Sequence, residues 1–145
     1  MSFVEMIPGR LYIGGRIRSS DWGFIQRHIT AIINIRITPD RPPFDFSHRT
    51  MIWAPLTVLH PPELQWIIAM TKLMNSLMDP GHTILLHDTL GIHRLGFVIT
   101  AFYMQRFGLS RDQALAAVRS RKSDIDPPDN YLKLLSQFEA YLESS

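Results

Sequence analysis

A chain of 145 residues with 46% apolar content is one domain's worth of sequence, enough to bury a core of ordinary composition. Its net charge of +2 is too small, and its basic residues too dispersed, to argue for nucleic acid or a membrane surface as a partner. The absence of cysteine excludes disulfides and thiolate metal sites.

Strands and helices alternate along the chain. A first strand is expected near 10–13, then a short helix from about Ser20, a suitable cap with Trp22, Phe24 and Ile25 behind it. Residues 31–35 are an apolar run that reads as a buried strand. Thr38-Pro39-Asp40-Arg41-Pro42-Pro43 cannot be regular structure, because each proline removes a backbone donor. A strand at 50–53 follows, and then an amphipathic helix over 62–78 with proline in its opening turn and Glu63 at its positive end. Thr83-Ile84-Leu85-Leu86, bounded by Pro80-Gly81, fits a buried parallel strand. Phe97, Val98, Ala101, Phe102 and Met104 recur at helical spacing, which starts a helix near Arg94. Two further helices are expected over 110–120 and 128–142. This alternation predicts an α/β fold, a central mostly parallel sheet with helices on both faces, in one domain spanning 1–145 without repeats or linkers. No segment reaches the roughly 18 apolar residues of a membrane span. The first eight residues lack a basic stretch followed by an apolar run, so the expected setting is intracellular, cytoplasmic or nuclear.

The most informative stretch is His87-Asp88-Thr89-Leu90-Gly91-Ile92-His93-Arg94, placed between a strand's carboxyl end and a helix amino end. Such a loop aims unpaired N–H groups and the positive end of the helix dipole into one concavity, and Gly91 permits a close backbone turn. Arg94 adds a planar fork suited to phosphate or carboxylate. The loop is built for an anion.

The stretch resembles the His-Cys-(any five)-Arg signature of the protein tyrosine and dual-specificity phosphatases, with Asp88 at the cysteine's place. The resemblance extends to residues 7–15 and 29–35 as that family's opening strands, and to residues 114–121 with Tyr131 and 134–139 as its closing helices. It implies the family's phosphate-binding loop, with Asp88 at the nucleophile's position and Arg94 as the anion-binding arginine. Family catalysis needs a low-pKa thiolate, an acid for the leaving oxygen, and a hydroxyl after the arginine. Here the acid's place falls near Val58, in a segment without a carboxylate. The hydroxyl's place holds Leu95, and the place where relatives often carry Pro-Asn reads Pro127-Pro128. Loss of several cooperating roles argues for natural inactivation rather than a single engineered change.

Asp88 also alters the electrostatics. Its carboxylate is expected to accept the loop N–H groups that would otherwise hold phosphate, and to pair with Arg94 across the loop. The implied function is a catalytically inactive phosphatase-like domain that binds a protein or phosphoprotein partner. One alternative is a phosphatase whose cysteine at position 88 was replaced by aspartate. Another is an enzyme using Asp88 as an oxygen nucleophile, although the loop supplies no second carboxylate for the magnesium that aspartyl-phosphate chemistry draws on. No cofactor or metal is expected, since the six histidines lack ligand spacing. His87 is expected to brace the loop and His93 to be exposed. Met70, Met74 and Met78 read as a core stripe, and Trp53, Trp66 and Phe46 as core or staple residues. Arg36, Arg41, Arg49, Arg119, Arg121 and Lys122 read as a solvated face rather than a ring around an anionic partner.

Overall fold

Period-two alternation in short apolar strands sorts their side chains to two faces, and each face needs its own cover. The computed structural model describes residues 2–41 and 44–145, so Pro42 and Pro43 of the expected proline-rich loop lie outside the described residues. Five strands form one sheet in the order β1-β2-β5-β3-β4: β1 Val4–Ile7, β2 Leu11–Gly14, β3 Ala31–Asn34, β4 Thr50–Trp53 and β5 Ile84–His87. The β1–β2 pair is antiparallel and the other three pairings are parallel. The helices are α1 Trp22–His28, α2 Leu64–Met78, α3 Arg94–Phe107, α4 Arg111–Arg121 and α5 Asp129–Ser144. None of them is long and apolar enough to cross a membrane.

Both faces of the sheet are covered, as expected of an α/β fold. Tyr12, Ile32 and Leu85 point to the face of α1 and pack with Ile25 and Ile29. Leu11, Ile13, Ala31, Ile33, Ile84 and Leu86 point the other way, into the larger core built by α2 to α5. Met70, Met74 and Met78 are buried in that core, in keeping with a stripe packed on the sheet. The six central residues of α3, from Phe97 to Phe102, are buried on every side, which its lack of a polar face foretells.

Several local details differ from the expectations. The hairpin strand β1 was not anticipated. Glu5 interrupts its apolar character, and only pairing with β2 makes Val4–Ile7 a strand. Ser20 is not a cap but lies inside a 3-10 turn over Ser19–Asp21, which begins after Arg18 and whose Asp21 carboxylate accepts the Arg18 N–H at 2.9 Å. Helix α2 starts at Leu64, two residues later than expected, with Glu63 as a cap that makes no side-chain bond. Trp53 is 52% exposed, because β4 is an edge strand, and its indole N–H donates to the Arg36 carbonyl at 2.8 Å, the staple rather than the core alternative. Trp66 is half-buried against Phe97, and Phe46 packs edge-on against Trp22 at 5.2 Å. Arg49 belongs to no solvated face: it donates to the Ile29, Gln26 and Ser47 carbonyls and lies over the Trp22 ring.

Because β2, β3, β4 and β5 run parallel, the segments that follow them leave from the same edge of the sheet. That edge gathers the turn at Gly14-Gly15, the loop after Asn34, the segment after Trp53 and the loop 88–93 in one place. A crevice at the carboxyl ends of parallel strands is where such sheets bind ligands.

Candidate functional site

His87 ends β5 and Arg94 opens α3, so the loop between them has the strand-loop-helix frame of an anion cradle. Its shape is fixed by backbone contacts with the turn after β2. The Asp88 N–H donates to the Gly14 carbonyl at 3.2 Å, and the Arg16 N–H donates to the Thr89 carbonyl at 3.1 Å. Gly91 has φ +76°, and a Cβ there would lie 2.9 Å from the Gly15 nitrogen. No side chain fits this crossing.

Asp88 is buried, 1% exposed, and its carboxylate is turned into the loop. One oxygen accepts the Gly91 N–H at 2.5 Å and the other accepts the Leu95 N–H at 2.9 Å. These are donors from the concavity and from the first turn of α3, where the helix dipole favours negative charge. The carboxylate is therefore held by main-chain donors at the entrance to α3.

Arg94 corrects one expectation, since it does not pair with Asp88. Its Nη1 donates to the Leu56 carbonyl at 2.9 Å and its Nη2 to Thr89 Oγ1 at 3.3 Å, while Nε is buried with no partner among the described residues. The backbone N–H groups satisfy both carboxylate oxygens, which leaves the guanidinium free to tie the loop to the segment after β4.

His87 is fully buried, and its Nε2 lies 2.9 Å from Asp40 Oδ2. A carboxylate at that distance only accepts, so the ring presents Nε2–H to it. Asp40 was missed by sequence reasoning. It belongs to the loop after β3, and only the adjacency of β3 and β5 brings it beneath the histidine. That loop is organised by buried Asn34, whose Nδ2 donates to the Thr38 carbonyl and whose Oδ1 accepts the Arg36 N–H. Arg36 then reaches back to the loop, with Nε 3.4 Å from Thr89 Oγ1.

The remaining loop residues divide by exposure. Thr89 and Leu90 are exposed, Gly91 is buried, and Ile92 and His93 are half-buried. His93 is not a free surface residue, because its Nδ1 lies 2.9 Å from the Asp126 carbonyl and the Asp126 N–H donates to the Ile92 carbonyl at 3.0 Å. The segment before Pro127-Pro128 thus braces the loop through its main chain.

The segment after β4 carries no acid. Val58 is 43% exposed and Leu59 78% exposed, and the stretch is pinned at three points: Leu56 by Arg94, Thr57 by the Tyr131 hydroxyl at 2.5 Å, and Leu59 by Asn130 Nδ2 at 3.0 Å. Burial of Tyr131 pushes its phenol up to about 12, so it remains a donor at ordinary pH. Leu95, at the expected hydroxyl position, is fully buried and offers only its N–H. Among the described residues, no three His, Asp or Glu side chains converge as metal ligands.

Comparison with known proteins leads to the same scaffold. Residues 11–141 match the family described as "Dual specificity phosphatase, catalytic domain", and the chain belongs to that family. It is 29% identical over 149 residues to the dual specificity protein phosphatase Mpk3 of Drosophila melanogaster, a match covering 96% of this chain and 34% of that protein. It is also 29% identical over 146 residues to the serine/threonine/tyrosine-interacting protein of Mus musculus, covering 94% of this chain and 64% of that one. Among solved structures, human DUSP28 aligns with a TM-score of 0.85 at 20% identity, over 97% of this chain and 98% of the other, a likeness of fold. The chain spans about a third of the length of Mpk3.

Proposed function

We propose that this dual-specificity-phosphatase-like domain has lost phosphoryl transfer and acts by binding a protein or phosphoprotein, in the intracellular setting that its sequence suggests. The observation that carries the reading is the Asp88 carboxylate, which accepts the Gly91 and Leu95 N–H groups inside the cradle. A carboxylate there lacks the thiolate's nucleophilicity, takes up the Gly91 and Leu95 donors and repels an incoming phosphate. The exposed Val58 where the resemblance places the acid, and buried Leu95 where it places a hydroxyl, point the same way. One relative is itself named for interaction rather than for catalysis.

Two measurements test this. The wild-type chain is expected to release no phosphate from phosphotyrosine and phosphothreonine peptides, and reproducible release by the unaltered protein sinks the reading. Asp88→Ser frees the two N–H groups and removes the charge. It is expected to bind a phosphotyrosine peptide at least about tenfold more tightly than wild type, a difference of about 1.4 kcal/mol. Equal affinities would mean that Asp88 does not block the cradle.

A further inference from the structure

We propose that the rim of the loop docks an unphosphorylated protein segment in which a carboxylate side chain lies beside a large apolar one, with Arg36 and Arg94 holding the carboxylate. This rests on the reading of the domain as an inactive protein-binding module. Two guanidiniums converge here on one neutral hydroxyl, Arg36 Nε at 3.4 Å and Arg94 Nη2 at 3.3 Å from Thr89 Oγ1. Both contacts are long, and a threonine oxygen carries no charge to offset two cations. The carboxylate nearest Arg36 belongs to Asp40, 4.0 Å away and already engaged by His87 at 2.9 Å. Arg94 Nε is buried without a partner among the described residues. Two cations gathered over a neutral atom define a place where an added anion is stabilised.

Asp88 decides which anion. A tetrahedral phosphate needs several oxygens held at once, and the Gly91 and Leu95 N–H groups are already given to Asp88. The donors left include two guanidinium forks, whose geometry matches the two oxygens of a carboxylate. A monoanion also meets less repulsion from Asp88 than a phosphate dianion does.

The surroundings select a protein segment rather than a free carboxylate. Of the seven large hydrophobic side chains exposed among the described residues, five stand at the carboxyl edge of the sheet: Ile37, Trp53, Val58, Leu59 and Leu90. The segment bearing Val58 and Leu59 is pinned by Arg94, Tyr131 and Asn130. Exposed apolar side chains on a fixed backbone present a preformed surface, which lowers the ordering cost of association. A basic centre within an apolar rim is complementary to an acidic residue flanked by apolar ones.

The test uses three short peptides of one sequence, with a central glutamate, glutamine or phosphotyrosine between leucine and phenylalanine, titrated into the full isotope-labelled chain. The glutamate peptide is expected to shift the Nε–H resonances of Arg36 and Arg94 and to bind at least about fivefold more tightly than the glutamine peptide. Arg36→Gln is expected to abolish that preference while its amide spectrum stays dispersed. Leu90→Ala, a change at an exposed position, is expected to weaken both peptides alike. Equal binding of the glutamate and glutamine peptides, or binding of neither, overturns the proposal. So does tighter binding of the phosphotyrosine peptide with shifts at the Gly91 and Leu95 amides, and if no phosphate is released the inactive-module reading survives it. Release of phosphate from that peptide overturns the reading as well.

Discussion

Asp88 closes the turn on itself, because its two oxygens accept the Gly91 and Leu95 N–H groups at 2.5 and 2.9 Å. The helix dipole favours this placement by about 0.3 to 1 kcal/mol. Placing a cysteine at position 88 alone is not expected to build a catalyst. Asp88→Cys is expected to stay at least about a hundredfold below an active relative on p-nitrophenyl phosphate, since a general acid contributes about a hundredfold or more and the segment near Val58 has none. A rate within about tenfold, only about 1.4 kcal/mol of barrier, would falsify that expectation. A second residue-scale prediction concerns His87, whose Nε2–H has Asp40 as its acceptor in a buried setting. Asp40→Ala strands that donor and is expected to cost about 1 to 3 kcal/mol in urea unfolding, whereas Asp40→Asn keeps an acceptor and costs less. If both variants match wild type, the pair is not structural. In the sequence, His87, Asp88 and Arg94 stood out through the resemblance of their stretch to the family's loop signature. The sequence did not show Asp40, 47 residues from its partner, nor that Arg94 would reach Leu56 and Thr89 instead of Asp88. Such pairings arise from strand adjacency, which no local pattern encodes.

At the scale of elements, the loop 88–93 is held from three sides: the turn after β2, the segment after β4, and the main chain around Asp126. The first contact is the tightest, because Gly91 crosses Gly14-Gly15 with backbone against backbone. Gly108, which ends α3, gives a comparison. It shares a positive φ, +65° against +76°, but a Cβ there would meet nothing within 4 Å. Gly108→Ala therefore carries only the left-handed strain, about 1 to 2 kcal/mol. Gly91→Ala carries the same strain plus contact at 2.9 Å with a backbone nitrogen that cannot rotate away. It is expected to destabilise the fold more than Gly108→Ala and to perturb the amide signals of Gly15 and Asp88. Equal unfolding midpoints for the two variants would show that the crossing is loose. The helices and buried strands were legible because their apolar periods are strong, as in the methionine stripe of α2 and the run of β5. Strand β1 and the exposure of Trp53 were not, because both depend on which strand lies at the sheet's edge.

For the whole molecule, alternation of strand and helix was sufficient to imply a parallel sheet covered on two faces, yet it left open how unequally the faces are covered. Helix α1 and its neighbours close one face, while α2 to α5 build the larger core on the other. Three tyrosines tie that architecture to pH. Burial pushes Tyr131 up to about 12 and raises Tyr103, and the hydrogen bond donated to Glu5 is the main reason that Tyr12 is raised. Each folded-state pKa lies above that of an unfolded tyrosine, about 10. The unfolded chain therefore loses these protons first as pH rises, and the linkage slope is negative. The contribution is fully present below about pH 10 and is lost as the pH climbs toward 12. The urea midpoint is expected to fall across that window. The slope should be shallower in Tyr131→Phe, which removes the group whose folded value is highest and also its bond to the Thr57 carbonyl. Tyrosinate absorbance should develop together with loss of the folded signal. A flat midpoint between pH 10 and 12, or an identical slope in the variant, would mean that Tyr131 ionises without opening the core it shares with Phe97 at 4.7 Å.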